Sequence, residues 1–124
     1  MIPYDRSEEP PLVAMNCTIT NPVTRKHQQR LGKFDTGAAL TTIPESLVSE
    51  LGLIEYDRVS MTDYMGVTTE HPVFLANVSL NGFDFEWCSV CACPRQSILV
   101  ARDVLNQLNV LLYGPALQFI VSWP

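Results

Sequence analysis

A chain of 124 residues suits one domain and leaves little room for two. Hydrophobic residues make up 47% and charged residues 17%, which permits a packed core and excludes a disordered chain. A net charge of -5 and a pI near 4.8 exclude a surface built for nucleic acid or an anionic membrane, since both need clustered Lys and Arg.

Met1 to Pro11 is polar and proline-bearing, without the charged-then-apolar order of a secretory signal. No apolar run approaches the roughly 20 residues of a membrane span. A reducing cytoplasm is therefore the expected compartment. Residues 1–10 are expected either to pack across an interface or to form a flexible end.

Pro11 to Thr20 is predicted as a first strand, with Val13, Met15 and Cys17 alternating on one face. Asn21 to Gln29 is polar and predicted as a hairpin loop. Arg30 to Phe34 then returns as a strand leading into Asp35. Pro44 to Gly52 carries the signs of a short helix. Pro44 suits the first helical position, Leu47, Val48 and Leu51 share a face, and Gly52 suits the C-terminal cap.

Arg58 to Thr62 and Val67 to Leu80 are predicted strands flanking a turn at Tyr64-Met65-Gly66. Asn81-Gly82 is a strong hairpin signal, because a type I′ turn needs two residues tolerant of positive φ. Phe83, Phe85 and Trp87 then alternate with Asp84, Glu86 and Cys88. Ser97 to Val100 is predicted as a short strand and Asp103 to Leu108 as a second short helix. Val110 to Tyr113 and Leu117 to Ser122 are predicted to pair around Gly114-Pro115. The sum is a mostly β chain with two short helices, and its evenly spaced short strands favour a closed or sandwiched β fold.

Four cysteines are present: Cys17, Cys88, Cys91 and Cys93. Cys88, Cys91 and Cys93 sit together, and their Cys-x-x-Cys spacing admits a zinc or redox site. A structural zinc site wants four ligands, and only Cys17, His27 and His71 remain to complete one. The expectation is a β-strand whose small apolar positions are cysteines, with no metal and no cofactor.

The segment that carries chemistry is Phe34-Asp35-Thr36-Gly37-Ala38-Ala39-Leu40-Thr41-Thr42-Ile43-Pro44. An aspartate at the end of an apolar strand is followed by a small hydroxyl residue and a glycine. The glycine permits a sharp turn and brings backbone N–H groups near the carboxylate, favouring its ionised form. Taken alone, this tripeptide is equally an Asx-turn in which Asp35 caps its own backbone.

Two further segments occur in a telling order. One is the hairpin with Gly66 near its tip, and the other is Ile98-Leu99-Val100-Ala101-Arg102-Asp103-Val104-Leu105. With the Asp35-Thr36-Gly37-Ala38 segment they resemble the retroviral-type (retropepsin-like) aspartic peptidases and their bacterial single-domain relatives. The tail Leu112 to Leu117 is similar to the end of the bacterial members, so the resemblance spans Pro11 to Val121. Three departures stand out. Ala101 replaces the usual glycine, Gly32-Lys33-Phe34 replaces small or aliphatic residues, and Ala39 stands where viral members have an acid that pairs with the arginine equivalent to Arg102.

The resemblance implies one retropepsin-like domain over residues 1–124, a closed β-barrel-like acid-protease half. It implies an aspartic endopeptidase acting on peptide or protein substrates. Asp35, Thr36 and Gly37 would be catalytic, with Thr36 bonding across a two-fold axis. Ala38, Tyr64, Met65, Gly66 and Val67 would bind substrate, the last four from a flap.

Hydrolysis by carboxylates needs two of them sharing one proton, one activating water and one donating to the carbonyl oxygen. The chain has no second Asp-Thr-Gly or Asp-Ser-Gly; Asp57, Asp63, Asp84 and Asp103 lack the glycine turn. A dyad therefore requires a homodimer. The alternative is a non-catalytic peptide- or protein-binding module on the same fold.

Overall fold

The computed structural model describes all 124 residues. The strands and helices run β1 (Ile2–Pro3), β2 (Ala14–Thr20), β3 (His27–Phe34), β4 (Thr42–Pro44), α1 (Glu45–Leu51), β5 (Glu55–Thr62), β6 (Thr68–Leu80), β7 (Phe83–Cys93), β8 (Ile98–Val100), α2 (Arg102–Leu105), β9 (Asn109–Tyr113) and β10 (Gln118–Ser122). No helix is long and apolar enough to cross a membrane.

Six strands make a ring in the order β2-β3-β8-β4-β7-β6, which closes because β6 also pairs with β2. Closure removes the unpaired edges that an open sheet would present. Two junctions are parallel, β3 with β8 and β4 with β7. β5 hangs outside the ring, paired with β6 alone. A separate three-stranded sheet has the order β1-β10-β9, so the residues before Pro10 contribute a strand at Ile2–Pro3.

The interior is filled by Ile19, Ile43, Val78, Val90, Ile98 and Val100 from the ring, with Leu47 and Leu51 of α1, Val104 of α2 and Phe119 of β10. Each such side chain contributes about 1.5–3 kcal/mol on full burial.

Local chemistry explains the boundaries. Gly52 ends α1 in the left-handed conformation (φ 63°), donating its N–H to Ser49 O at 3.3 Å. Asn81 and Gly82 both have positive φ, 49° and 79°, as a type I′ turn requires. Pro44 is not the first helical residue: it ends β4 in an extended conformation (ψ 137°), immediately before the helix. The polar stretch after β2 is shorter than expected, because His27 to Gln29 join β3 opposite Thr18 to Thr20.

Trp87 departs further from simple alternation. A bulge between Ala76 and Val78 puts Trp87 at φ 54° and leaves it exposed, while Asn77 Oδ1 accepts its N–H at 2.9 Å. Cys88 therefore takes the inward position, against the core. One extra residue in a strand shifts every later side chain to the other face.

Candidate active site

β3 delivers Asp35 to the end of the barrel beside β8. The Asp35 N–H donates to Val100 O at 2.9 Å, continuing the parallel pairing of Phe34 with Val100. The chain then turns sharply. Gly37 N–H donates to Asp35 Oδ1 at 2.8 Å, and Ala38 N–H donates to Asp35 O at 3.3 Å. A Cβ on Gly37 would stand 3.1 Å from that carboxylate oxygen, so the missing side chain lets the backbone come close. Asp35 is half-buried, and Thr36 and Gly37 are exposed. The carboxylate is thus anchored on Oδ1, while Oδ2 makes no hydrogen bond within the chain.

The loop from Asp35 to Thr41 is strapped to residues 100–103 by six hydrogen bonds, counting Asp35 to Val100. Arg102 N–H donates to Ala38 O at 3.0 Å, and Arg102 Nη1 donates to Thr36 O at 2.8 Å. Here is the partner that Arg102 lacks at Ala39: a backbone carbonyl in place of a carboxylate. Thr41 donates twice to Asp103, and its Oγ1 accepts the Ala101 N–H at 3.2 Å. Ala101 is fully buried in extended backbone (φ -100°, ψ -176°) that any residue adopts, so its methyl group fits without backbone strain.

Asp103 was passed over in the sequence for want of a glycine turn, yet it organises this loop. Its sequence signals are its place in the Ile98–Leu105 segment and an acid in the first turn of a helix, where it also accepts the Val104 N–H at 2.9 Å.

The hairpin of β5 and β6 turns over residues 63–67. Asp63 Oδ1 accepts from Met65 N–H at 2.9 Å and Val67 N–H at 3.0 Å, and Gly66 has φ 82°. Tyr64, Met65 and Val67 are exposed, Tyr64 almost wholly. The structure brings Asp35, Thr36, Gly37 and Ala38 together in one loop. Tyr64, Met65, Gly66 and Val67 sit together at the hairpin tip, and no hydrogen bond joins the two groups within one chain.

Beside Thr36 lies an apolar cavity of about 320 Å³, lined by Val13, Phe34, Leu105, Asn106, Val110 and Leu112. Leu112 is more than half exposed at its rim. All four cysteines are free thiols.

No family model matches the sequence, and no curated protein matches it. Solved structures do match. EIAV protease, solved with the inhibitor HBY-793, superposes with a TM-score of 0.64 at 13% identity, covering 85% of this chain and 92% of that one. A retropepsin-like aspartic protease from Rickettsia conorii gives 0.61 at 12% identity, covering 98% and 86%. The foamy viral protease-reverse transcriptase gives 0.57 at 19% identity over 77% of this chain, which spans only 12% of that longer one. A six-stranded ring, two short helices and these superpositions lead to one conclusion: the chain has a retropepsin-like aspartic protease fold.

Proposed function

We propose that the chain is an aspartic endopeptidase, active as a homodimer in which two Asp35 side chains meet across a two-fold axis. The observation that carries this reading is the turn at Asp35. One carboxylate oxygen is held by Gly37 N–H at 2.8 Å, and the half-buried side chain stands in a loop tied to residues 100–103 by hydrogen bonds.

Two carboxylates about 3 Å apart share one proton, because both cannot easily ionise together. The ionised member takes a proton from water, and the protonated member donates to the peptide carbonyl oxygen. Water attacks the carbonyl carbon, the C–N bond breaks, and two shorter peptides leave with no covalent intermediate. Thr36 would steady the pair across the axis, and Ala38 would border the cleft. The hairpin tip at Tyr64, Met65, Gly66 and Val67 would act as a flap, laying its backbone along an extended peptide as an added strand. The chemistry asks for no metal or cofactor. Four free thiols support a reducing, cytoplasmic location.

The test compares wild type with Asp35→Asn on a peptide library between about pH 4 and 7, alongside sedimentation at several concentrations. Cleavage by wild type alone, rising with the dimer fraction, is expected. Equal cleavage by both proteins, or full activity from a strict monomer, overturns the reading. Peptide binding without cleavage by wild type would instead support a binding module.

A further inference from the structure

Strand geometry gathers four soft or nitrogenous ligand atoms on one face of the sheet. Cys91 and Cys93 are two residues apart on β7, so their side chains leave on the same side. Val73 of β6 is the cross-strand partner of Cys91, and continuing that register puts His71 across from Cys93. His71 Nδ1 lies 3.4 Å from Cys93 Sγ. From β5, Met61 brings its Sδ within 3.5 Å of Cys91 Sγ. One ligand atom each from His71, Cys91 and Cys93 lie within 4.8 Å of one another. Cys91 is buried, and His71, Cys93 and Met61 are half-buried.

We propose that Cys91, Cys93 and His71 form a binding site for a soft d10 cation, Zn(II) or Cu(I), with Met61 closing its fourth side. Tetrahedral ligands at about 2.3 Å for sulfur and about 2.0–2.1 Å for nitrogen stand about 3.5–3.8 Å from one another. The Met61–Cys91 separation of 3.5 Å and the His71–Cys93 separation of 3.4 Å are within a few tenths of an ångström of that, and the 4.8 Å that bounds His71, Cys91 and Cys93 leaves about 1 Å for the ligands to close on an ion. The donor set is two thiols, an imidazole and a thioether, which selects soft ions over Mg(II) or Ca(II).

A second feature points the same way. Thr69 Oγ1 lies 2.7 Å from His71 Nε2. An Nε2–H donating to that hydroxyl leaves Nδ1 deprotonated and aimed at the two sulfurs, the outer support that metal-bound imidazoles use. Binding replaces the thiol protons, so up to two protons leave per cation bound. Cys88 takes no part, because it faces the core while Cys91 and Cys93 face away from it.

The site joins three strands, and its test does not depend on peptidase activity. Protein purified reduced and anaerobically, without chelator, is stripped and titrated with Zn(II) and separately with Cu(I) against a chromophoric competitor. One equivalent per chain is expected, and Co(II) should give sulfur-to-metal charge-transfer absorption with tetrahedral visible bands. Cys93→Ser and His71→Asn, each checked for folding by circular dichroism, should weaken binding at least about 100-fold. Thr69→Val should weaken it by about 10–100-fold. Cys88→Ser should bind as wild type does. Met61→Leu should weaken Cu(I) and spare Zn(II), because only the softer ion favours a thioether; unchanged Cu(I) affinity would remove Met61 from the site. Absence of stoichiometric binding by either ion, or wild-type binding by Cys93→Ser, overturns the proposal.

Discussion

Thr41 and Asp103 lie 62 residues apart and are joined twice: Thr41 Oγ1–H donates to Asp103 Oδ1 at 2.7 Å, and Thr41 N–H donates to Asp103 Oδ2 at 3.0 Å. Thr41 is fully buried and also receives the Ala101 N–H, so one side chain fixes both walls of the Asp35 loop. Thr41→Val keeps the volume and removes the hydroxyl. It should cost about 2–3 kcal/mol, since a bond to a charged group is lost and the Ala101 N–H is left unpaired. Urea unfolding would measure this, and Thr41→Ser should recover most of the loss. On the peptidase reading, cleavage should fall with Thr41→Val even where the protein remains folded.

Gly32 faces the barrel interior against Cys17. A Cβ there would meet Cys17 Sγ at 2.3 Å, Val100 Cγ2 at 3.0 Å and Met15 O at 3.2 Å. Gly32→Ala should destabilise by about 1–3 kcal/mol through overpacking. Cys17→Ala in the same chain should recover part of that loss, because the nearest obstacle is the thiol. Thermal melts of the two singles and the double variant test the coupling.

Burial pushes the Cys17 thiol up from 9.0 to about 12. The folded chain therefore keeps this proton where the unfolded chain has released it. The resulting stability is complete below about pH 9 and is lost as pH rises toward about 12. Stability measured across that range should decline less steeply in Cys17→Ala than in wild type. Equal slopes would mean that other groups govern the alkaline limb.

Leu112 combines exposure with a place at the rim of the apolar cavity beside Thr36. If two chains meet near Asp35, this rim belongs to their contact. Leu112→Glu should shift sedimentation toward the monomer and abolish cleavage, while leaving the melting of the isolated chain within about 1 kcal/mol of wild type, as for an exposed site. An unchanged dimer would place the contact elsewhere.

Much of this was legible in the sequence because it is local. The Asp35 turn, the Asn81-Gly82 hairpin and the Gly52 cap each depend on a few adjacent residues whose backbone preferences decide the outcome. The β1 and β4 strands were not legible, being two and three residues long and defined only by distant partners. The Thr41–Asp103 tie was hidden for the same reason. The cysteines do lie on a β-strand, as their sequence suggests, but the Cys-x-x-Cys spacing conceals their grouping, because strand alternation sends Cys88 and Cys91 to opposite faces. It pairs Cys91 with Cys93 instead, and only the register of β6 reveals that His71 stands opposite. Trp87 was misjudged because a bulge leaves no clear mark in a run that otherwise alternates well.

The long strand β6 has two employments along one unbroken backbone. Thr68 to Pro72 form one leg of the projecting hairpin, paired with β5 alone, whereas from Val73 onward the strand is built into the ring beside β7, with β2 on its other side from Asn77 to Leu80. At about 3.3 Å per residue its 13 residues span about 43 Å. The hairpin is thus the free end of a lever whose other end is clamped in the wall, with its fulcrum near Val73, where pairing with β7 begins. Tip and wall are therefore linked through one continuous strand, with β5 hydrogen-bonded along its outer part.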